Sequence, residues 1–550
     1  MPAGPSRPPR LTRRATLAAP LFGAALVASC GAAARARAPD DTAAAPRAAA
    51  APPTLVVLVT VDQLRPDYLT RFGPQLTGGL GRLARGGAAF ARAYQDHAIT
   101  ETAPGHASTL SGRFPRSTGI VTNAAGVSDE TMALIGGGGP GASPLRFLGT
   151  TLVDWLAAKD RRSRALSVSM KDRGAILPVG RAKQSVFWYA AENGRFTTSR
   201  YYADTLPTWV TRFDDRGLPR AAAGRVWTPL LPDSAYAEPD SVPTEGGGVG
   251  FLFPHALPAD SAAAANVIRA TPWMDELTLA FALEGVRAMR LGAGPTTDVL
   301  AVSLSATDVI GHRYGPDSRE VHDQVVRLDR YLGAFLDSLF AIRDSTRVVI
   351  ALTADHGVSS FPELTRARSG GIAEWVDLSP AVAQTQRWLD SRGAGGPAVG
   401  LDGGALVVST AALARARVTI DSVADVFAAA AKPVRGVLRV DRLSALARAD
   451  TVRDVIARRW LHMLPDGVPV AAVVTLTEGS VWGAPGGSAM HGSPHDADAH
   501  VPLILYGPPF APGRRDELAR VVDLAPTLAH VLGVRPLEKI DGRVLEGALK

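Results

Sequence analysis

The chain has 550 residues, of which 46% are hydrophobic and 20% charged, a balance that excludes a disordered or low-complexity protein. The formal net charge is +7, but Arg7, Arg10, Arg13 and Arg14 fall within the first 29 residues with no acid among them, so the remainder carries +3. No basic stripe interleaved with aromatics is present, which argues against a nucleic-acid binder, and the length admits one large domain with insertions or two to three domains.

In chain order, the early arginines precede an apolar run from Ala15 to Ala28, closing in Val27-Ala-Ser-Cys30. That order reads as an export signal over residues 1–29, and the run is too short for a transmembrane helix. Cys30 is the only cysteine, and the small residues before it resemble a bacterial lipobox, in which Cys30 is lipidated and becomes the new N-terminus. The alternative is an ordinary signal peptide with an incidental cysteine. Either way the expected address is outside the cytoplasm, periplasmic or at the cell surface, with no internal disulfide to staple the fold. Residues 30–53 are rich in Ala, Pro and Arg and read as a tether.

Thr54–Val61, Asp298–Ser305 and Thr346–Thr353 are continuous runs of Val, Leu, Ile, Thr and Ala, the signature of strands buried on both faces in a parallel sheet. Asp62 ends the first, as a site carboxylate or a helix cap. The second leads to Asp308 and His312, four apart and so on one helical turn. The third ends in Asp355-His356-Gly357, where the strand must break for both side chains to serve one site. Carboxylates at the C-terminal ends of parallel strands occupy the usual site position of α/β sheets.

Between these runs lies Thr100-Glu-Thr-Ala-Pro-Gly-His106. Taken alone, Thr102 two residues before a proline is an N-cap whose oxygen accepts a backbone N–H. A helix N-terminus also suits a phosphate or sulfate, and a hydroxyl there becomes a nucleophile if a base or metal activates it. Asn123 is a turn residue or a donor to a bound oxyanion. Lys171 and Arg173, two apart, share a face if the backbone is extended, and then suit a dianion; otherwise they are a solvated basic turn. Residues 186–295 and 360–480 lack clear βα alternation and read as cap insertions, the second alternatively an extension of the sheet. Met490-His491-Gly-Ser-Pro-His495-Asp-Ala-Asp-Ala-His500 clusters three histidines, and Asp523 opens a final amphipathic helix.

Asp62, Asp308, Asp355, His356, His312 and a late histidine form an oxygen-and-nitrogen donor set of the kind Zn²⁺ prefers. Two metals flanking Thr102 would activate it for in-line displacement without a Ser–His–Asp relay.

The segments VDQLRPDYLTRF, TAPGHASTLSG, MKDRGAILPVG, SATDVIGHRYGP, TADHG and HGSPHDADAHVPLILYG resemble, in order and approximate spacing, the alkaline phosphatase superfamily, most closely its single-subunit PafA-type members with a threonine nucleophile. The likeness spans roughly Leu55 to the C-terminus. It implies a mostly parallel central sheet with helices on both faces over residues 54–550, and two Zn²⁺ ions. One zinc would be held by Asp62, Asp355, His356 and the Thr102 oxygen, the other by Asp308, His312 and His491, with His495 and His500 as alternatives to His491. Asn123, Lys171 and Arg173 would contact the phosphate. The implied activity is hydrolysis of small phosphate monoesters through a phosphothreonine, by a monomer. A nucleotide pyrophosphatase/phosphodiesterase shares the metals and the threonine, but its substrate carries one charge fewer at phosphorus, so the Lys171/Arg173 pair favours monoesters. A sulfatase needs Cys or Ser where Thr102 stands, and a phosphoglycerate mutase relative would carry serine and a cytoplasmic address. The non-enzyme alternative is a metal-binding surface lipoprotein with a silent site.

Overall fold

The computed structural model describes residues 52–137 and 139–550; Cys30, the export segment and the tether up to residue 51 lie outside the described residues. Leu55–Val61, Asp298–Leu304 and Val348–Thr353 are strands in which every residue is buried. The first is central to the three and pairs in parallel with both: Leu55 stands opposite Asp298 and Val348, and Thr60 opposite Ser303 and Thr353. Their C-terminal ends are therefore level, and the loops that leave them emerge at one edge of the sheet.

The whole sheet has nine strands, in the order 513–520, 88–94, 503–506, 348–353, 55–61, 298–304, 165–169, 185–190 and 195–197. Pairing is parallel except around Leu503–Tyr506, antiparallel to both neighbours, and at the edge strand Arg195–Thr197. Two packed groups of helices cover it. Gly79–Gly86, Trp273–Met289 and Arg319–Ile342 form one; Thr102–Ser111, Leu152–Lys159 and Leu524–Leu532 form the other. Arg319–Ile342 buries Val321, Val325, Leu328, Leu332, Leu336 and Leu339, a spacing of three and four that gives one apolar stripe.

Two boundaries differ from the sequence reading. The insertion expected from residue 186 starts later, because Ser185–Ala190 is a buried strand parallel to Ala165–Ser169 and Arg195–Thr197 returns beside it. Its run Val-Phe-Trp-Tyr has high strand propensity, but the Gly- and Pro-rich stretch beyond it obscured that signal. Trp273–Met289 packs on strands 165–169 and 298–304, so it too belongs to the main layers. Residues 360–480 do not extend the sheet. They build a separate four-stranded sheet, in the order 399–402, 405–408, 470–476, 437–442, over a core that includes Leu389, Leu406, Phe427 and Val474.

Candidate active site

Thr102 is the first residue of helix Thr102–Ser111, a helix buried along its length. It is not the cap. Glu101, in extended conformation, occupies that position without a side-chain capping bond. The Thr102 hydroxyl is therefore not committed to the helix; among the described residues its hydrogen-bond partner is Lys171 Nζ, at 3.3 Å. The helix can approach the end of strand Val348–Thr353 because residue 105 is glycine: a Cβ there would lie 2.2 Å from the Asp355 carbonyl oxygen.

Lys171 and Arg173 do not share an extended strand. Lys171 is the extended residue before helix Asp172–Ile176, and Arg173 is already inside the helix, so the two leave the backbone in different local geometries while lining one cavity. Lys171 Nζ reaches inward, 2.6 Å from both Asp62 Oδ2 and Asp308 Oδ2. Arg173 stays nearer the surface, 3.5 Å from Asp172, with its Nε buried and unpartnered. Asn123 is tied to the nucleophile's helix: its Oδ1 accepts the Ala103 N–H at 2.9 Å, and its own N–H donates to Glu101 at 2.6 Å.

The acids and histidines converge as two groups, each with candidate ligand atoms within 4.8 Å of one another: Asp308, His312, His491, and Asp62, Asp308, His356. Asp308 lies between the groups. Asp355 is adjacent, its Oδ2 3.6 Å from His356 Nε2. Each of the three histidines points Nδ1 at a backbone carbonyl: His312 at Ala489 (2.6 Å), His491 at Thr100 (2.8 Å) and His356 at Gly357 (2.9 Å). A carbonyl only accepts, so Nδ1 carries a proton and Nε2 is the ring nitrogen left facing the acids, the orientation metal-binding histidines use. His495 and His500 do the reverse, spending Nε2 on the carbonyls of Leu476 and Ala91.

A metal fits this donor set. Both carboxylate oxygens of Asp62, Asp355 Oδ2 and His356 Nε2 are buried without hydrogen-bond partners. Such groups are costly unless something satisfies them. Lys171 approaches Asp62 as a charge but outside hydrogen-bond directionality. Burial, and after it the charges of Asp308 and Asp355, pushes Asp62 up to about 6. Burial would also raise Asp308, yet Lys171, His312 and His491 hold it well below the usual carboxylate range. Burial and the neighbouring His356 and His312 keep His491 well below its ordinary value, hence neutral.

Three residues that sequence reasoning passed over belong to the site. Gln63 donates its N–H to Asp355 Oδ1 (3.1 Å) and its amide to Asp308 Oδ1 (3.0 Å), linking two strand ends from a left-handed backbone (φ 66°). His106 is buried between the Thr102 carbonyl (2.9 Å), Ser303 (2.8 Å) and Asp355 (3.1 Å). Glu101 holds Asn123. Glu101 and His106 stand in the same short stretch as Thr102; nothing in the sequence singles out Gln63 beyond its place after Asp62. The insertion reaches this end as well, Asp402 accepting the Thr122 hydroxyl at 3.3 Å.

Residues 56–131 and 155–459 match the family model described as type I phosphodiesterase / nucleotide pyrophosphatase. Alkaline phosphatase PafA of Elizabethkingia meningoseptica is 29% identical over 89% of this chain and 94% of its own length. Alkaline phosphatase PhoK of a Sphingomonas species is 30% identical over 90% of each chain. The crystal structure of PafA superimposes with a TM-score of 0.85 at 28% identity, covering 91% of this chain and 99% of that one. The chain thus belongs to the type I phosphodiesterase / nucleotide pyrophosphatase family, on the PafA-type branch of the alkaline phosphatase superfamily, and is a phosphate hydrolase of that superfamily.

Proposed function

We propose that the protein is an exported phosphatase that hydrolyses small phosphate monoesters through a phosphothreonine at Thr102. The observation that carries this reading is the uncommitted Thr102 hydroxyl, 3.3 Å from Lys171 Nζ, beside two clusters of candidate ligand atoms, one of which leaves Asp62 and His356 atoms without hydrogen-bond partners. Two Zn²⁺ ions suit the clusters: Asp308, His312 and His491 would hold one, and Asp62, Asp355, His356 and the Thr102 oxygen the other. When bound they supply positive charge and Lewis acidity on either side of the phosphorus.

The chain's own residues do the rest. Thr102 attacks phosphorus, the alcohol leaves with a proton, and water then cleaves the phosphothreonine to give phosphate and free Thr102. Placement at the first helical turn puts the positive end of the helix dipole beside the anion. Lys171, Arg173 and the Asn123 amide bind the non-bridging oxygens, with Asn123 held in place by Glu101 and Ala103. His106 fixes the turn by bracing the Thr102 carbonyl against Ser303. Two cations beside the nucleophile match a dianionic monoester better than a singly charged diester. The signal over residues 1–29, with lipidation at Cys30, supports a periplasmic or surface location for a monomeric enzyme.

The second reading, a phosphodiesterase, takes its support from the description of the matching family. The two separate in kcat/KM of the Zn²⁺-loaded protein on an aryl phosphate monoester and its methyl diester. We expect the monoester to be strongly preferred, and Lys171→Ala/Arg173→Ala to lose at least about 10²-fold on it while touching the diester far less, the scale of a lost transition-state donor. Preference for the diester, with an indifferent double variant, refutes the assignment.

A further inference from the structure

Beside the phosphate-binding pair lies an open cavity of about 630 Å³. Lys171 and Arg173 are part of its lining. Trp188 and Tyr189 of strand Ser185–Ala190, with Met170 and Val309, form the apolar part of its lining, which also includes the acids Asp172 and Glu192 and the amide of Asn266. The Tyr189 hydroxyl is already donated to the Ala265 carbonyl at 2.6 Å, so that side chain offers the cavity only its ring. Arg269 and Arg313 line it too, both exposed and neither in an ion pair among the described residues. Arg313 comes directly after His312 on helix Ala306–Tyr314, its guanidinium 5.2 Å from the Tyr314 ring centroid.

A dianionic phosphate bound at Thr102 needs no charge beyond Lys171, Arg173 and the metals. Two further guanidiniums in the same cavity leave its four cations in excess of its two acids, Asp172 and Glu192, and serve a different anion, one carried on the part of the substrate that is not the reacting phosphate. Resting on the monoesterase reading, we propose that this cavity receives the alcohol portion of the substrate and selects esters in which that portion is flat or apolar and bears a second anionic group, a carboxylate or another phosphorus oxyanion. The apolar part of the lining, Val309 included, holds the body of the group, and Arg269 and Arg313 bind its anionic group as planar forks.

The test compares 4-carboxyphenyl phosphate with 4-carbamoylphenyl phosphate, alike in shape and differing in charge, and adds 4-phosphonophenyl phosphate to separate carboxylate from phosphorus oxyanion. The Zn²⁺-loaded full chain should favour one or both anionic esters over the amide by about five-fold or more in kcat/KM, the scale of solvent-accessible ion pairs. The preference should shrink with added salt. It should fall toward unity in Arg269→Gln and in Arg313→Gln, while Arg269→Lys keeps part of it. Calorimetric binding of the non-hydrolysable 4-carboxyphenylphosphonate should show the same order. Turnover of the amide ester with no preference for either anion overturns the subsite and leaves the phosphatase reading standing. A preference that survives both glutamine variants also overturns it. If no monoester is turned over while a methyl diester is, the reading beneath it fails instead.

Discussion

Asp275 lies on Trp273–Met289, fully buried, with one oxygen accepting the Ala306 N–H at 3.0 Å and the other accepting Gln324 Nε2 at 2.8 Å. Ala306 opens the helix that carries Asp308 and His312, so this carboxylate supports the site from behind. Burial pushes its pKa up to about 7, and the two hydrogen bonds offset only part of that. An acid whose folded pKa is raised destabilises the fold once ionised. The penalty is absent below about pH 4, grows between about pH 4 and pH 7, and is constant above. A rise of roughly three units corresponds to ~4 kcal/mol. In Asp275→Asn the new amide can keep the Ala306 bond through Oδ1. Its NH₂ then meets Gln324, whose Oε1 is unpartnered and can turn to accept it, at the expense of the 3.1 Å bond from Gln324 to Thr307. That loss costs about 1 kcal/mol. The variant should therefore be ~3 kcal/mol more stable than the wild type at pH 8.5 and no more stable at pH 4. Urea denaturation midpoints across that pH range, on metal-free protein, provide the measurement. A difference that does not change with pH, or an asparagine variant that is weaker at pH 8.5, refutes the reasoning.

The site's geometry sets three further expectations. Glu101→Ala frees Asn123 and should lower monoester kcat/KM about ten-fold through kcat, with Glu101→Gln milder; an unchanged kcat with raised KM would argue for simple binding. Gly105→Ala drives a methyl into the Asp355 backbone and should reduce both metal content and activity, the latter by at least about 10²-fold, as expected when a catalytic group shifts by ~1 Å. His491→Ala should lose bound zinc on elemental analysis, whereas His495→Ala should retain the wild-type amount; the opposite ranking would reassign the ligand.

The strand ends were legible because buried parallel strands write themselves as unbroken apolar runs, and the polar residue closing each run stands out. Asp62, Asp308 and Asp355-His356 could be read that way, and the spacing of Asp308 and His312 placed both on one helical turn. Lateral position could not be read. Lys171 and Arg173 looked like neighbours on a strand, but a helix begins between them, so they reach one cavity from different backbone geometries. Ser185–Ala190 carried a strand composition yet sat in a stretch whose prolines and glycines suggested irregular chain. Choosing among His491, His495 and His500 requires knowing which ring nitrogen is spent on a carbonyl, and that depends on backbone hundreds of residues away: Thr100 for one, Ala91 for another. Gln63 shows the same limit, since its partners Asp308 and Asp355 become neighbours only when the strands align.

The three inward-facing histidines owe their orientation to the carbonyls of Ala489, Thr100 and Gly357 rather than to side-chain carboxylates. No single substitution deletes a carbonyl. Ring orientation is thus buffered against point mutation in the surrounding shell in a way that an Asp–His pair is not. The vulnerability moves to chain path: insertions, deletions or proline replacements near Thr100 and Ala489 should be tolerated far less than side-chain changes at the same positions.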